Sequence, residues 1–332
     1  MSITHPPDSN RTPERPPRIA PVVGSARPKW SVMIPVYNGG AFLKETLDAV
    51  LKQAETEDNM QIEVVDDCST DIDVCSLVMG IGQGRIGYFC QPQNVGSLRN
   101  FETCINRARG IYIHLLHSDD LVHPGFYRKL DNLFTRYPAA GAAFCHYQYI
   151  NEHGNIVFIP AAEATEEGIL NNWLVRLAER QRIQYVAIAV KREVYETLGA
   201  FYGVHYGEDW EMWMRIASQY SFAYTPAILA SYRRHTHSIS GKAFTTGQNI
   251  RDLQIVLEKI NHFLPEPEKK KCLQKAKKFY AHYALRTAKR LWTQSRDKRG
   301  AIAQMQSGWQ LHKDIPMAVG IVKMVGRLIL NR

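Results

Sequence analysis

Short apolar runs alternate with segments of helical period over the first half of the chain. "WSVMIPV", residues 30–36, is apolar at nearly every position, the pattern of a strand buried on both faces. Leu43, Leu47, Val50 and Leu51 then recur at i, i+4, i+7 and i+8 on one face of a helix. "IEVVDD" predicts a second strand and "RIGYF", residues 85–89, a third. Leu98, Phe101, Ile105 and Ala108 share one face of the next helix, and "IYIHLL" follows as a strand. This alternation predicts an α/β fold with a mostly parallel sheet flanked by helices. In such sheets ligands bind at the carboxyl ends of the strands.

Those ends are polar here. The first strand runs into Tyr37-Asn38-Gly39-Gly40, the second into Asp66-Asp67-Cys68-Ser69-Thr70-Asp71, and "IYIHLL" into His117-Ser118-Asp119-Asp120, all on one edge. Adjacent carboxylates at the end of a buried strand repel and shift each other's pKa unless a cation or hydrogen-bond donors compensate. A carboxylate beside small polar residues accepts hydrogen bonds from a base or sugar, and a second cluster holds a hard divalent cation through oxygen. Together the turns describe a nucleotide-diphosphate site.

At 332 residues and 45% hydrophobic, the chain can bury a full core. Its six cysteines (Cys68, Cys75, Cys90, Cys104, Cys145 and Cys272) have neither CxxC spacing nor the density of a disulfide scaffold, which points to a reduced, cytoplasmic compartment. Residues 1–29 are rich in Pro and Arg and are expected to be a disordered tail rather than a signal peptide. Near the other end, "IPMAVGIVKMVGRLILNR" is interrupted by Lys323 and Arg327 and is too short to span a bilayer.

Charge divides the chain further. Residues 251–332 carry 18 basic against 6 acidic side chains, whereas residues 1–250 carry 23 against 26, so the net charge of +9 belongs to the last quarter. The expected organisation is a tail at 1–29, an α/β domain at 30–245 and a basic helical extension at 246–332. A basic helical appendage on a mildly acidic body argues against nucleic acid and for an anionic membrane surface. In "KKKCLQKAKKFYAHYALRTAKRLW", Leu273, Ala276, Tyr280, Tyr283 and Ala284 recur at near-helical intervals among Lys and Arg, as in interfacial helices. The competing reading is a helix packed on the α/β domain or in a homo-oligomer, with an ordinary solvated basic face.

"SVMIPVYNGGAFLKETLDAVLKQ", "VVDDCSTD", "NVGSLRNFETCINRARGIYIHLLHSDDLVHPG" and "GEDWEMWMRI", in this order and spacing, resemble family 2 glycosyltransferases of the GT-A fold over roughly residues 30–240. The resemblance implies inverting transfer of one sugar from a nucleotide-diphosphate sugar, a UDP-sugar first, to an acceptor hydroxyl, with Mn²⁺ or Mg²⁺ as cofactor. A saccharide or lipid-linked acceptor, in bacterial cell-surface polysaccharide or glycolipid assembly, goes with that activity, and the basic C-terminal segment makes the expected enzyme peripheral on the cytoplasmic face of the membrane.

By the same resemblance Asp67 reads the nucleobase, Pro35, Val36 and Tyr37 line its pocket, and Asp66 supports the turn. Cys68 stands where the family has Gly, a departure that matters if the backbone needs φ > 0. The D-x-D metal motif reads His117-Ser118-Asp119, making Asp119 the metal ligand, with Asp120 acting beside it through water and Ser118 at the donor. His117 either bonds the diphosphate or orders the loop. Arg99 reaches the base or diphosphate, and Asn94 and Asn100 shape the turn and helix around it. Asp209 in "YGEDWEMW" is the expected general base, with Glu208 orienting the acceptor or Asp209. No QxxRW follows; "YRRHTHSIS" stands there instead, which implies single addition, with Arg233 and His235 closing over the diphosphate. Two other classes compete. A nucleotidyltransferase would carry a Gly-rich basic loop after the first strand, and "PVYNGGAF" has no basic residue; an inactive nucleotide-sugar-binding module would lack Asp119 or Asp209.

Overall fold

The computed structural model describes residues 11–24, 26–235 and 239–330. They divide into two compact units, one of which comprises residues up to Asn171, Ile183–Gly203 and Gln219–Arg234, and the other Asn172–Arg182, Val204–Ser218 and the residues from His235 onward.

The first unit is built on a sheet. Its strands are β1 (Trp30–Val36), β2 (Met60–Asp66), β3 (Gly87–Cys90), β4 (Tyr112–Leu115), β5 (Leu121–Val122), β6 (Ala140–Ile150), β7 (Ile156–Phe158), β8 (Gly168–Ile169), β9 (Ile188–Lys191) and β10 (Ser221–Arg233). The order is β3-β2-β1-β4-β9-β6-β10-β5, with β7 beside β6 and β8 beside β10. From β3 to β4 all pairings are parallel, β9 runs antiparallel between β4 and β6, and β6 pairs parallel with β10.

Helices α1 (Gly40–Leu51), α2 (Val74–Gly82), α3 (Ser97–Arg107) and α4 (Phe126–Arg136) connect the early strands; α5 (Trp173–Ala178) and α6 (Arg192–Leu198) follow. All seven residues of β1 are buried, as a central parallel strand requires. Val32, Ile34 and Val64 from the sheet meet Leu43, Leu47 and Val50 from α1 in one core cluster. Pairing of Val36 with Asp66 and of Met33 with Leu115 brings the ends of β1, β2 and β4 to one edge.

The Pro- and Arg-rich tail departs from its expected disorder over residues 11–24 and 26–29. Pro13 and Pro17 carbonyls accept the N–H groups of Gly203 and Ala200, both at 2.9 Å, and Ile19 is buried. Arg27 donates to the carbonyls of Arg109 and Gly110, both at 2.9 Å. The segment is an extended strap whose carbonyls satisfy loop donors, a role that proline permits because it needs no N–H. Gly199 is fitted to it: at φ +80° it takes the left-handed conformation, and a Cβ there would lie 2.7 Å from the Pro17 carbonyl oxygen.

The second unit is helical: α5, α7 (Glu208–Ala217), α8 (Ile239–Thr246), α9 (Gln248–Ile260), α10 (Glu266–Ser295), α11 (Lys298–Leu311) and α12 (Ile315–Ile329). Ala288, Trp292, Ala301, Met305, Met324 and Leu328 join α10, α11 and α12 in a core of their own. Residues 172–182 and 204–218 belong to this unit, so it is not a simple appendage that begins after residue 245. No helix among the described residues is long and apolar enough to cross a membrane.

Candidate active site

At the end of β1, Pro35 and Val36 are buried and Tyr37 is 47% exposed, an aromatic face open at the sheet edge. Asn38 takes a left-handed φ of 50°, its N–H donates to Ser69 Oγ (3.0 Å), and its Oδ1 accepts the Thr70 N–H (2.8 Å), tying the first turn to the second. Asp66 accepts from the Ser69 N–H and the Tyr88 hydroxyl, both at 2.9 Å, and so holds its turn. The turn needs a left-handed residue at Cys68, whose φ is 62°.

Asp67 differs from the expectation of a carboxylate open to a base. The residue is 2% exposed, and its carboxylate accepts the N–H groups of Val95 (2.7 Å) and Gly96 (2.9 Å) and the Asn94 amide (2.8 Å). It thus holds the loop that opens α3. Burial pushes its carboxyl up to about 6 against the Val95 and Gly96 N–H groups and the opposing charge of Arg11. Arg11 comes from the strap and donates to Asn94 Oδ1 at 2.6 Å, a contact that no motif foretold. Asn100 anchors the same helix by donating to the Val65 carbonyl at 2.9 Å. Arg99 pairs with Glu102 at 2.8 Å at a cleft of about 440 Å³ also lined by Phe89, Gln91 and Val95.

The loop after β4 carries the cluster. Ligating atoms of His117, Asp119 and Asp120 all lie within 4.8 Å of one another. Asp120 is fully buried; its Oδ1 accepts the Arg233 N–H at 2.8 Å, and its Oδ2 has no partner. Burial, then the charge of Asp119, raise its carboxyl well above the usual carboxylate range. His117 stacks on Phe101 and lies against Tyr185, burial lowers its pKa, and its Nε2 is also buried without a partner. Each such atom costs about 1–3 kcal/mol unless a ligand satisfies it. Two carboxylates and a neutral imidazole are a donor set that accepts Mn²⁺ or Mg²⁺, the imidazole favouring the former. Thr46 braces the loop, its hydroxyl lying 3.0 Å from the Ser118 carbonyl oxygen and 2.9 Å from that of Asp120. Gly39 packs close beside it: a Cβ there would come within 2.6 Å of Ser118 Oγ and push that hydroxyl aside.

Arg233 is engaged by the protein itself. Its side chain is wholly buried; Nε donates to the Asp119 carbonyl (2.9 Å), one terminal nitrogen pairs with Glu45 (2.7 Å), and the other donates to the Glu152 carbonyl (3.1 Å). It clamps the metal-motif loop from behind, a role invisible in sequence because its partners come from α1 and two loops. His235 is half-buried; residues 236–238 of "YRRHTHSIS" lie outside the described residues.

In the helical unit, Glu208 and Asp209 open α7 behind Gly207, whose φ is 88°. Asp209 Oδ2 accepts from Gln181 Nε2 at 2.6 Å and Oδ1 from the Trp210 N–H at 2.7 Å. Burial pushes its carboxyl up to about 6, the Trp210 and Gln181 donors opposing it. The Gln181 N–H donates in turn to Tyr280 Oη at 2.9 Å, and the Trp210 indole donates to the Leu177 carbonyl at 2.8 Å, so α5, α7 and α10 fix this carboxylate together.

A family model described as "Glycosyl transferase family 2" matches residues 31–199, half of the chain. The chain belongs to glycosyltransferase family 2. The nucleotidyltransferase and inactive-module readings accordingly fall away: the protein is a glycosyltransferase. This family 2 chain is 27% identical to MT1568 of Mycobacterium tuberculosis over 71% of its length and 76% of the relative's. It is 32% identical to glycosyltransferase GlyG of Streptococcus pneumoniae over 39% of its length and 42% of the relative's. Among solved structures it is similar to S. aureus TarS 1-349 in complex with UDP-GlcNAc, with a TM-score of 0.62 at 15% identity over 91% of this chain and 80% of that one. The mannosyltransferase PcManGT of Pyrobaculum calidifontis, solved with GDP-Man and Mn²⁺, matches with a TM-score of 0.57 at 18% identity over 95% of this chain and 84% of that one. At these identities the likeness shows a shared GT-A fold.

Proposed function

We propose that this family 2 glycosyltransferase moves one sugar from a UDP-sugar to an acceptor hydroxyl with inversion, using a divalent metal held by Asp119, Asp120 and His117. The observation that carries the reading is the pair of buried, partnerless atoms, Asp120 Oδ2 and His117 Nε2, in one cluster at the carboxyl end of parallel strands. A divalent ion there would neutralise the charge that builds on the leaving diphosphate.

The chain's own residues divide the remaining work. Tyr37 offers a stacking face to the base, and Asp67 keeps the 94–96 loop in register with it. Arg233, by holding the Asp119 carbonyl and the Asp120 carboxylate, keeps the metal-motif loop from relaxing. Asp209 takes the acceptor proton as the acceptor oxygen bonds to the anomeric carbon; the bond to the phosphate oxygen breaks, and its electron pair leaves with the diphosphate. A carboxyl near 6 is mostly ionised at neutral pH yet basic enough to accept that proton. Glu208, its neighbour on α7, orients the acceptor.

The acceptor is a saccharide or a lipid-linked sugar of the cell surface. The six unpaired cysteines support a reduced, cytoplasmic site of action. Titration of Mn²⁺ into the protein with UDP present, followed by electron paramagnetic resonance, tests the reading. Wild type is expected to bind the ion and Asp119→Ala to lose it; equal binding by both would overturn the assignment.

A further inference from the structure

We propose that one face of α12 docks the protein on an anionic lipid surface, a property beyond the sugar-transfer site. The helix has two apolar faces. Met317, Met324 and Leu328 are buried, the last two in the core shared with α10 and α11. On the opposite side Ile315, Val319, Val322 and Ile329 recur at i, i+4, i+7 and i+14 along four turns. Ile315 is 80% exposed, Val322 71% and Ile329 75%, and Leu330 continues the stripe. Single exposed aliphatic residues are ordinary; a continuous stripe backed by a second, packed face marks an interaction surface.

Charge decides the occupant. Lys323 and Arg327 are exposed and lie along one edge of the stripe, and α12 contains no Asp or Glu. The acid just before it, Asp314, is engaged: it caps the helix through the Met317 N–H at 2.8 Å and pairs with His282 at 3.1 Å and Lys278 at 3.4 Å. A second copy seated on this stripe about a two-fold axis would set Lys323 and Arg327 against like charges with no acid on the helix to answer them. Anionic headgroups answer both, while Val322 and Ile329 enter the acyl boundary, the geometry of an interfacial helix. The surrounding residues 251–332 carry 18 basic and 6 acidic side chains, which adds long-range attraction to the same surface.

The full chain is sedimented with vesicles of phosphatidylcholine alone and with about one third phosphatidylglycerol, at about 50 and about 500 mM salt. Binding is expected to the anionic vesicles, weakened but not abolished by salt. Lys323→Ala with Arg327→Ala is expected to weaken it roughly 30-fold, about 5-fold for each charge. Val322→Glu with Ile329→Glu is expected to abolish it, and Val322→Ser with Ile329→Ser, which keeps the charge unchanged, to leave only a salt-sensitive remnant. These side chains are exposed, and circular dichroism confirms folding. Failure to bind anionic vesicles at low salt, equal binding to both vesicle types, or binding indifferent to the Val322 and Ile329 variants would overturn the proposal. A dimer in sedimentation velocity that the same variants dissociate would overturn it too, by giving the stripe to a second copy.

Discussion

Replacing Gln181 with Leu isolates the tuning of the Asp209 carboxyl. Donors that oppose the burial raising it to about 6 include the Trp210 N–H at 2.7 Å, Gln181 Nε2 at 2.6 Å and its own backbone N–H. A hydrogen bond to an ionised group is worth about 1.5 kcal/mol, and one pKa unit about 1.4 kcal/mol. Losing the Gln181 bond should therefore raise the Asp209 carboxyl by about one unit. The sign follows from the role. A general base works ionised, so turnover rises with pH through its pKa, and raising that pKa moves the acid limb to higher pH. The expected loss is about fivefold near pH 6 and nearly nothing near pH 8. The backbone bond from Gln181 to Tyr280 survives the substitution, so the turn should hold. Asp67 also lies near 6, so the assay reads kcat at saturating donor, where loss of donor binding drops out. Asp209→Asn provides the reference, with turnover lower by about 10²–10⁴-fold at every pH. An unmoved acid limb in Gln181→Leu, or a uniform loss across pH, would refute the reasoning.

Arg11→Ala should remove the contact that steadies Asn94 and raise the Asp67 carboxyl further above about 6, weakening UDP binding about fivefold near pH 6 and less near pH 8; calorimetry that shows equal affinity at both would contradict it. Cys68→Gly should relieve a left-handed backbone that costs a non-Gly residue about 1–2 kcal/mol, against about 0.5–1 kcal/mol of added unfolded-state freedom. The net gain of about 0.5–1 kcal/mol should raise Tm by about 1–4 °C, and a lower Tm in calorimetry would show that the thiol packs usefully.

The parallel half of the sheet was legible because strands buried on both faces read as unbroken apolar runs and amphipathic helices as spaced ones. β1, β2 and β4 lie where "WSVMIPV", "IEVVDD" and "IYIHLL" place them, give or take a residue or two. The mixed half was not. β6 alternates too weakly to stand out in "AGAAFCHYQYI", and β9 gains its place only through partners on both sides. The strap was hidden for a related reason: proline-rich composition signals disorder, and what orders it is N–H groups about 185 residues away, at Ala200 and Gly203. Around the site, single-residue chemistry was readable and partnership was not. Asp119 and Asp120 stand out at a strand end, but Arg233 looks like a free cation until Glu45 and the Asp119 carbonyl are seen to hold it. Asp67 looks like an open acceptor until backbone donors of the 95–96 loop are seen to fill it.

Turnover of a panel of UDP-, GDP- and dTDP-sugars, with Mn²⁺, with Mg²⁺ and with EDTA, and with the product anomer assigned by proton NMR, tests the metal-dependent inverting transfer most directly. The expected result is release of nucleoside diphosphate from a UDP-sugar in Mn²⁺, its loss in EDTA and in Asp119→Ala, its return to wild type when Mn²⁺ is restored, and a glycoside inverted at the anomeric carbon. Undiminished turnover in EDTA, or a retained anomer, would contradict it.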